Sequence, residues 1–441
     1  MRFDELPSDV LCEVTSHIYG EQITRLWICG SQLLCFKLAN SGGVRDWHSQ
    51  TNNPKFFFWP PLLPLLHQLQ TLHITGPEAY AHAPVNMVQI SQLPRSLTCL
   101  DLDFALGLPA FFTSSPSPPE DALPCLTLLS IGKDNVMGKL ILYTVPKWPR
   151  NLQTLVLRSS IRFSRLDPGQ LPTSLTTFKG RFLDVHYSSA FPTSLTSLSL
   201  HLENFCEELI AFLPSGLLHL HLGFLRNFLQ DADAWSQLPP GLKSLKVDFA
   251  DTIVAQCLRY LPPSLESLAS TSSYQLSTYE ISLLPANLTR ISELIPVSLT
   301  AKDAAILPRT LTDIGHYVTV DIRALSVLPP YLRMIAIWND PDVGEYAIEE
   351  SISSALNALP SFPLTTIDIH GPDELISSLS LLTRLQSISI DLRKTSNSAL
   401  GILLETLPQL SPTVTQLELS SLPSSTDCEV LHCQELFEDS N

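Results

Sequence analysis

Histidine is the residue type whose spacing in this sequence comes closest to a metal-binding or catalytic arrangement. His219 and His221 are separated by one residue, so a β-strand would place both imidazoles on the same face. His201 could lie beside them on a neighbouring strand, and three imidazoles can hold a metal ion. No carboxylate or cysteine is placed to complete such a set. The sequence therefore predicts no bound metal and no cofactor.

Other motifs that carry catalytic chemistry are missing from the sequence. It has no glycine loop that cradles phosphate, no Gly-x-Ser-x-Gly and no His-Glu-x-x-His. Cys428, His432 and Cys433 are close in sequence, but their spacing is not that of a zinc module. Aspartates and serines are plentiful, yet no pattern pairs a nucleophile with a base. We therefore predict that the chain is not an enzyme.

The histidines belong to a repeated sequence that would position them. The pattern Leu-Pro-x-Ser-Leu-x-x-Leu-x-Leu begins at Leu93 and returns in close copies at Phe191 and Leu261. Repeats of 20–29 residues around Leu-x-x-Leu-x-Leu are typical of leucine-rich repeats. With the register set on the first leucine of that core, the candidate repeats start at residues 69, 97, 126, 152, 175, 195, 217, 242, 265, 288, 311, 332, 364, 385 and 414.

The alternation in each repeat predicts one strand with its leucines facing inward and its x positions facing outward. The proline three residues before the first leucine cannot donate to a strand ladder, so it belongs in the turn that starts the strand. Stacked repeats would share one continuous core. The predicted fold class is therefore α/β: a solenoid with parallel strands on its concave face and short helices or 3₁₀ turns between them. The Pro-Ser-Leu lead-in resembles the divergent leucine-rich repeats of fungal and slime-mould proteins.

Residues 1–40 do not repeat, and they carry two apolar stripes at helical spacing. The second stripe runs over residues 23–38, and Leu6-Pro7 precedes the first. This pattern resembles an F-box, although the basic residue and Trp that usually follow Cys29 are absent. The first stripe consists of Val10, Leu11, Val14 and Ile18.

F-box proteins bind a Skp-type adaptor and, through it, a cullin ubiquitin ligase, and leucine-rich repeats are a common second domain among them. The resemblance implies a substrate-recognition adaptor of such a ligase, with an adaptor-binding patch formed by Leu6, Pro7, Leu11 and Ile18. The alternative is a non-catalytic interaction scaffold whose N-terminal helices cap the repeats. The predicted domains are an F-box-like helical domain at 1–40, a linker leading into the solenoid at 41–68, the solenoid at 69–420 and an acidic tail at 421–441.

The distribution of charge indicates the kind of partner that the repeats would bind. The net charge is −16 and the pI is about 5.1, which argues against nucleic-acid binding. The outward positions of the middle repeats are nevertheless basic or histidine. We predict that an acidic or phosphorylated protein substrate binds there, although outward positions can also be polar without binding anything. The predicted substrate-binding residues are Arg158, Lys179, Arg181, His219, His221 and Lys246, and the second candidate surface is Tyr317, Met334 and Trp338.

The sequence also predicts where the protein works. Its first residues, Met-Arg-Phe-Asp-Glu, lack the apolar segment of a signal peptide. The longest apolar stretch, 56–66, contains three prolines and is too short for a membrane-spanning helix. The nine cysteines are odd in number and irregularly spaced, unlike a disulfide framework. We expect a cytoplasmic or nuclear protein with reduced thiols and no membrane contact.

Overall fold

A computed structural model describes residues 25–30, 33–40, 43–50, 69–75, 93–103, 123–132, 140–142, 148–158, 161–185, 189–202, 208–224, 235–248, 255–270, 276–292, 294–295, 298–315, 319–320, 322–338, 362–370, 379–391, 399–410 and 412–420. The chain forms two compact units. The first comprises Met1–Leu229 and Gln237–Gly241, and the second comprises Gln230–Ser236 and Leu242–Asn441. Every helix in the described ranges is too short or too polar to cross a bilayer.

The described part of the first unit contains twelve strands, of which seven, one from each repeat starting at residues 69 to 217, form a parallel ladder. Its strands are β1 (Arg25–Gly30), β2 (Leu33–Asn40), β3 (Gly43–Gln50), β4 (Thr71–Thr75), β5 (Cys99–Asp103), β6 (Leu128–Ile131), β7 (Leu140–Leu142), β8 (Thr154–Leu157), β9 (Ile161–Leu166), β10 (Thr177–Val185), β11 (Ser197–Leu202) and β12 (His219–Phe224). Strands β4, β5, β6, β8, β10, β11 and β12 pair in that order, all in parallel, and β9 pairs with both β7 and the end of β10. The return segments here include the short helix α1 (Glu208–Ala211) and a 3₁₀ turn at Pro168–Gln170.

Strands of the second unit are also parallel to their neighbours. The first group consists of β13 (Ser244–Asp248), β14 (Ser267–Ser270) and β15 (Arg290–Ser292). The second group consists of β16 (Ser298–Leu299), β17 (Thr319–Val320), β18 (Met334–Trp338), β19 (Thr366–His370), β20 (Ser387–Asp391) and β21 (Gln416–Ser420). Between them lie α2 (Ala255–Leu258), α3 (Thr278–Ile281), α4 (Ala301–Ile306), α5 (Ala399–Thr406) and 3₁₀ turns at Ile322–Val327, Leu379–Leu381 and Leu407–Gln409. The predicted short helices and 3₁₀ turns are thus confirmed.

Burial confirms the predicted repeat register. The residue at each of the fifteen predicted starts is at most 4% exposed. The second leucine of the Leu-x-x-Leu-x-Leu core, three residues after the start, is buried as well. Examples are Leu100, Leu155 and Leu198 in the first unit and Leu245 and Leu268 in the second. Each strand alternates accordingly, and in β11 every second side chain is buried. The repeats therefore build a parallel-strand solenoid of leucine-rich-repeat type, with one continuous row of apolar side chains inside each unit.

A hydroxyl side chain at the serine position of the lead-in links a repeat to the one before it in six cases, four with serine and two with threonine. Ser194 Oγ donates to the carbonyl oxygens of Thr173 and Leu175, both at 2.7 Å. In all six cases one acceptor is the backbone carbonyl oxygen of the first leucine of the preceding repeat. Buried carbonyl groups need such donors. We call this set the hydroxyl ladder: Ser96 to Leu69, Ser174 to Leu152, Ser194 to Leu175, Ser264 to Leu242, Thr310 to Leu288 and Thr413 to Leu385.

Two neighbouring return helices in the second unit begin with capping boxes. Ser277 Oγ accepts from the backbone N–H of Glu280, whose carboxylate accepts from the backbone N–H of Ser277. Thr300 and Asp303 form the same arrangement at α4. Thr278 Oγ1 then donates to Asp303 Oδ1 at 2.6 Å, so that the two boxes are joined. Both carboxylates are buried, with Glu280 5% and Asp303 6% exposed.

The described part of residues 1–40 forms strands and not the predicted helix. β1 and β2 are antiparallel strands where the sequence predicted the second F-box-like helix, with Ile28 opposite Phe36. β3, within the predicted linker, pairs antiparallel with β2, and β1 runs parallel to β4. The apolar run Leu33–Phe36 fits strand or helix equally well, while the glycines at 30, 42 and 43 favour breaks between short strands. The structure thus gives no support for a helical F-box domain in this part, and the predicted patch residues Leu6, Pro7, Leu11 and Ile18 lie outside the described residues.

Candidate protein-interaction site

The outward face of β10, β11 and β12 carries a cluster of cations and histidines. Register aligns Lys179 with Ser199 and His221, and Arg181 with His201 and Gly223. His219 begins β12 and is exposed, whereas Lys179, Arg181 and His221 are half-buried. We use the name cationic face for five outward side chains of these three strands: Lys179, Arg181, His201, His219 and His221. The strand periodicity thus brings four of the predicted residues together on adjacent strands.

His201 and His221 contact each other on this face. Their ring centroids are 5.0 Å apart and the rings are nearly perpendicular, which is a favourable aromatic geometry. Ser199 Oγ and His221 Nδ1 are 3.0 Å apart and share a hydrogen bond. Gly223 makes room for His201, since a Cβ atom at that position would lie 2.1 Å from His201 Nδ1. Because Gly223 has no side chain, the His201 imidazole has the space that it occupies.

Arg158 lies on the same sheet but is committed to a carboxylate. Its Nη2 donates to Asp101 Oδ1 at 2.8 Å and to Oδ2 at 3.0 Å, and its Nη1 donates to the carbonyl oxygen of Gly132 at 3.1 Å. His73 Nδ1 lies 2.7 Å from Asp101 Oδ2. An arginine held in this way has few donors left for a substrate. The structure therefore separates Arg158 from the other predicted binding residues.

Asp101 is ionised within this cluster. Burial alone raises the pKa of its carboxyl group, but hydrogen bonds from His73 and Ser130 and the charge of Arg158 lower the pKa by more. The pKa of Asp101 therefore lies below its ordinary value of 3.8. Sequence spacing did not reveal this cluster, although a row-by-row alignment of outward positions places His73, Asp101 and Ser130 side by side.

Lys246 and the second candidate surface lie in the second unit. Lys246 is half-buried in β13, in the second unit, so it is described apart from the cationic face. Met334 is half-buried in β18, while Tyr317 and the Trp338 side chain lie outside the described residues. Within the described ranges, Lys179 and Lys246 have no hydrogen bond or ion pair through their side chains.

The described side chains of the cationic face form neither a metal-binding group nor an oriented serine–histidine pair. In the ranges that the structure describes, no group of three or more His, Cys, Asp or Glu side chains could hold a metal ion. The Ser199–His221 hydrogen bond pairs a hydroxyl group with an imidazole, but the described outward positions of β10–β12 include no carboxylate to orient that imidazole. What the arrangement can do chemically is attract and hold negative charge.

Comparison with solved structures gives one protein to report. The chain is similar to CroV588, described as a circular leucine-rich-repeat protein, with 19% sequence identity and a TM-score of 0.44. The match covers 82% of this chain and 48% of that protein, so the chain spans about half the length of the protein it matches. No family model matches the chain, and no curated protein matches it.

Proposed function

We propose that the chain is a non-catalytic interaction scaffold whose cationic face binds an acidic or phosphorylated segment of a protein partner. The observation that supports this is the charge of one surface. Across the described outward positions of β10, β11 and β12 there are two cations and three histidines and no carboxylate, in a chain of net charge −16. Opposite charge on a partner would be attracted to this surface first.

The physical size of the face suits a short peptide rather than a whole domain. Three parallel strands at roughly 4.8 Å spacing place the side chains within about 10 Å across the sheet. Exposed charge pairs contribute only about 0–1 kcal/mol each, so several must act together. Binding should therefore weaken as salt is added.

Charge reversal on the face tests the proposal. The probe is a fluorescein-labelled peptide of alternating glutamate and phosphoserine, whose binding to the full chain is followed by anisotropy. The double variant Lys179→Glu, Arg181→Glu should bind it at least roughly tenfold more weakly, because two attractive charges become repulsive. The matched control is the double variant Arg333→Glu, Arg384→Glu, which reverses two exposed cations in the second unit. Equal binding by the double variant and the unchanged chain would refute the proposed site.

The narrower function is that of a substrate-recognition adaptor in a Skp–cullin ubiquitin ligase, acting in the cytoplasm or nucleus. It depends on the sequence motif at residues 6–18, and the strands β1 and β2 remove the second helix that the motif would require. A pull-down with a Skp-type adaptor tests it: the full chain should bind, and the variant Leu6→Ala, Pro7→Ala should not. Failure of the full chain to bind would exclude this function and leave the scaffold proposal standing.

A further inference from the structure

Apolar side chains are exposed on consecutive return segments of the second unit. Of the five large apolar side chains that are exposed among those the structure describes, three lie there: Tyr260 at 43%, Tyr279 at 55% and Ile306 at 37%. They come from three successive repeats, which start at residues 242, 265 and 288. We call these three side chains the return stripe. Grouped exposed apolar residues of this kind mark interaction sites more often than isolated ones do.

Contacts that involve sequence neighbours of the stripe residues connect the three return segments. The guanidinium of Arg259, the residue before Tyr260, lies 5.8 Å from the centre of the Tyr279 ring and donates to the Tyr279 hydroxyl. Tyr279 lies in α3, and Thr278 of the same helix donates to Asp303 in α4. Ile306 ends α4. The three residues therefore lie on one surface that follows the return segments.

Among the residues that the structure describes, the exposed charges beside the stripe are positive. Arg259 and Lys302 are both exposed beside the stripe. The two carboxylates of the same helices, Glu280 and Asp303, are buried in their capping boxes and do not reach the surface. A ligand for the stripe should therefore combine apolar side chains with carboxylates.

The chain contains a segment with that composition. Residues 421–441 include five carboxylates and no Lys or Arg, with apolar residues at Val430, Leu431, Leu436 and Phe437. The segment directly follows β21. In the sheet order, β21 lies five strands from β16, and β16 is the strand directly before α4. At the usual strand spacing this is about 25 Å for Ile306, the nearest member of the stripe, and about 34 Å for Tyr260, two repeats further on. A segment of 21 extended residues can span about 70 Å. We propose that residues 421–441 dock on the return stripe of the same chain.

A peptide-binding experiment tests this inference, which does not depend on the proposed function. The probe is a fluorescein-labelled peptide of residues 421–441 with serine in place of both cysteines. The acceptor is the full chain with its tail carboxylates neutralised by Asp427→Asn, Glu429→Gln, Glu435→Gln, Glu438→Gln and Asp439→Asn. Anisotropy should show at least roughly tenfold tighter binding to this acceptor than to the unchanged chain, whose own tail competes for the stripe.

Variants of the acceptor locate the site. Tyr260→Ala together with Ile306→Ala should weaken peptide binding roughly tenfold, because anchors of this kind carry much of an interface's binding energy. Leu218→Ala is the matched control: Leu218 is 38% exposed, in the first unit, and its loss should change nothing. Equal binding to the unchanged and neutralised chains would overturn the inference, and so would binding that survives the stripe variant. Binding that is lost only with Lys179→Glu, Arg181→Glu would assign the tail to the cationic face instead.

Discussion

Asp101 shows how one side chain organises the outward face of the first unit. It accepts from Arg158 two strands away and from His73 on the adjacent strand, so it ties together three repeats whose members are far apart in sequence. Because its pKa is lowered in the folded state, its charge stabilises the fold at every pH above the ordinary carboxyl range. The same charge keeps Arg158 from serving as a binding residue.

Asp101→Asn should therefore destabilise the protein in a pH-dependent way. At about pH 7 the expected loss is about 1–3 kcal/mol, the range for hydrogen bonds to charged groups. A folded pKa below 3.8 means that the stabilisation is fully present above that value and disappears as the pH falls through the lower folded pKa. Urea unfolding of the two proteins should thus differ most at neutral pH and converge in acid. A pH-independent difference would contradict the assignment of charge to Asp101.

At the scale of elements, the hydroxyl ladder explains why serine follows proline in the repeat. Removing it at one repeat by Ser194→Ala should cost about 0.5–1.5 kcal/mol, because the carbonyl groups of Thr173 and Leu175 lose the one O–H donor that they share. Ser197→Ala is the control, because this half-buried serine points outward from β11 in the same repeat. The measurement is the free energy of unfolding in urea, and equal values for the two variants would contradict a structural role for the ladder.

Some elements could be predicted from the sequence and others could not. Strand positions, the buried leucines and the return turns followed from periodicity, because stacking one repeat on the next dictates which side chains are inside. The strands β1 and β2 did not follow, since their apolar residues have no strict alternation and no repeat to set their register. The Asp101 cluster was not predicted either: side-chain pairing across 57 residues, as between Arg158 and Asp101, is not encoded in local spacing. Four residues of the cationic face were predicted from their outward positions. The contact between His201 and His221, for which Gly223 leaves room, was not predicted.

At the scale of the whole molecule, the repeat architecture limits how far a perturbation spreads. Each strand of the first unit's ladder is bonded to the strand before it and the strand after it, so contacts between repeats are mainly between neighbours. Stability in such a chain is approximately a sum of repeat and nearest-neighbour terms. A defect in one repeat should then loosen adjacent repeats more than distant ones.

Leu198→Ala tests this locality. Leu198 is 1% exposed and lies between Phe178 and Leu220 in the inward row, so its truncation should cost about 2–5 kcal/mol. Amide hydrogen exchange followed by mass spectrometry should then show faster exchange in β10, β11 and β12 than in β4 and β5. Because the strands of the second unit carry their own buried row, peptides from β18 to β21 should exchange as they do in the unchanged chain. Acceleration of similar size in every strand would mean that the repeats unfold as a single cooperative body, and the nearest-neighbour description would fail.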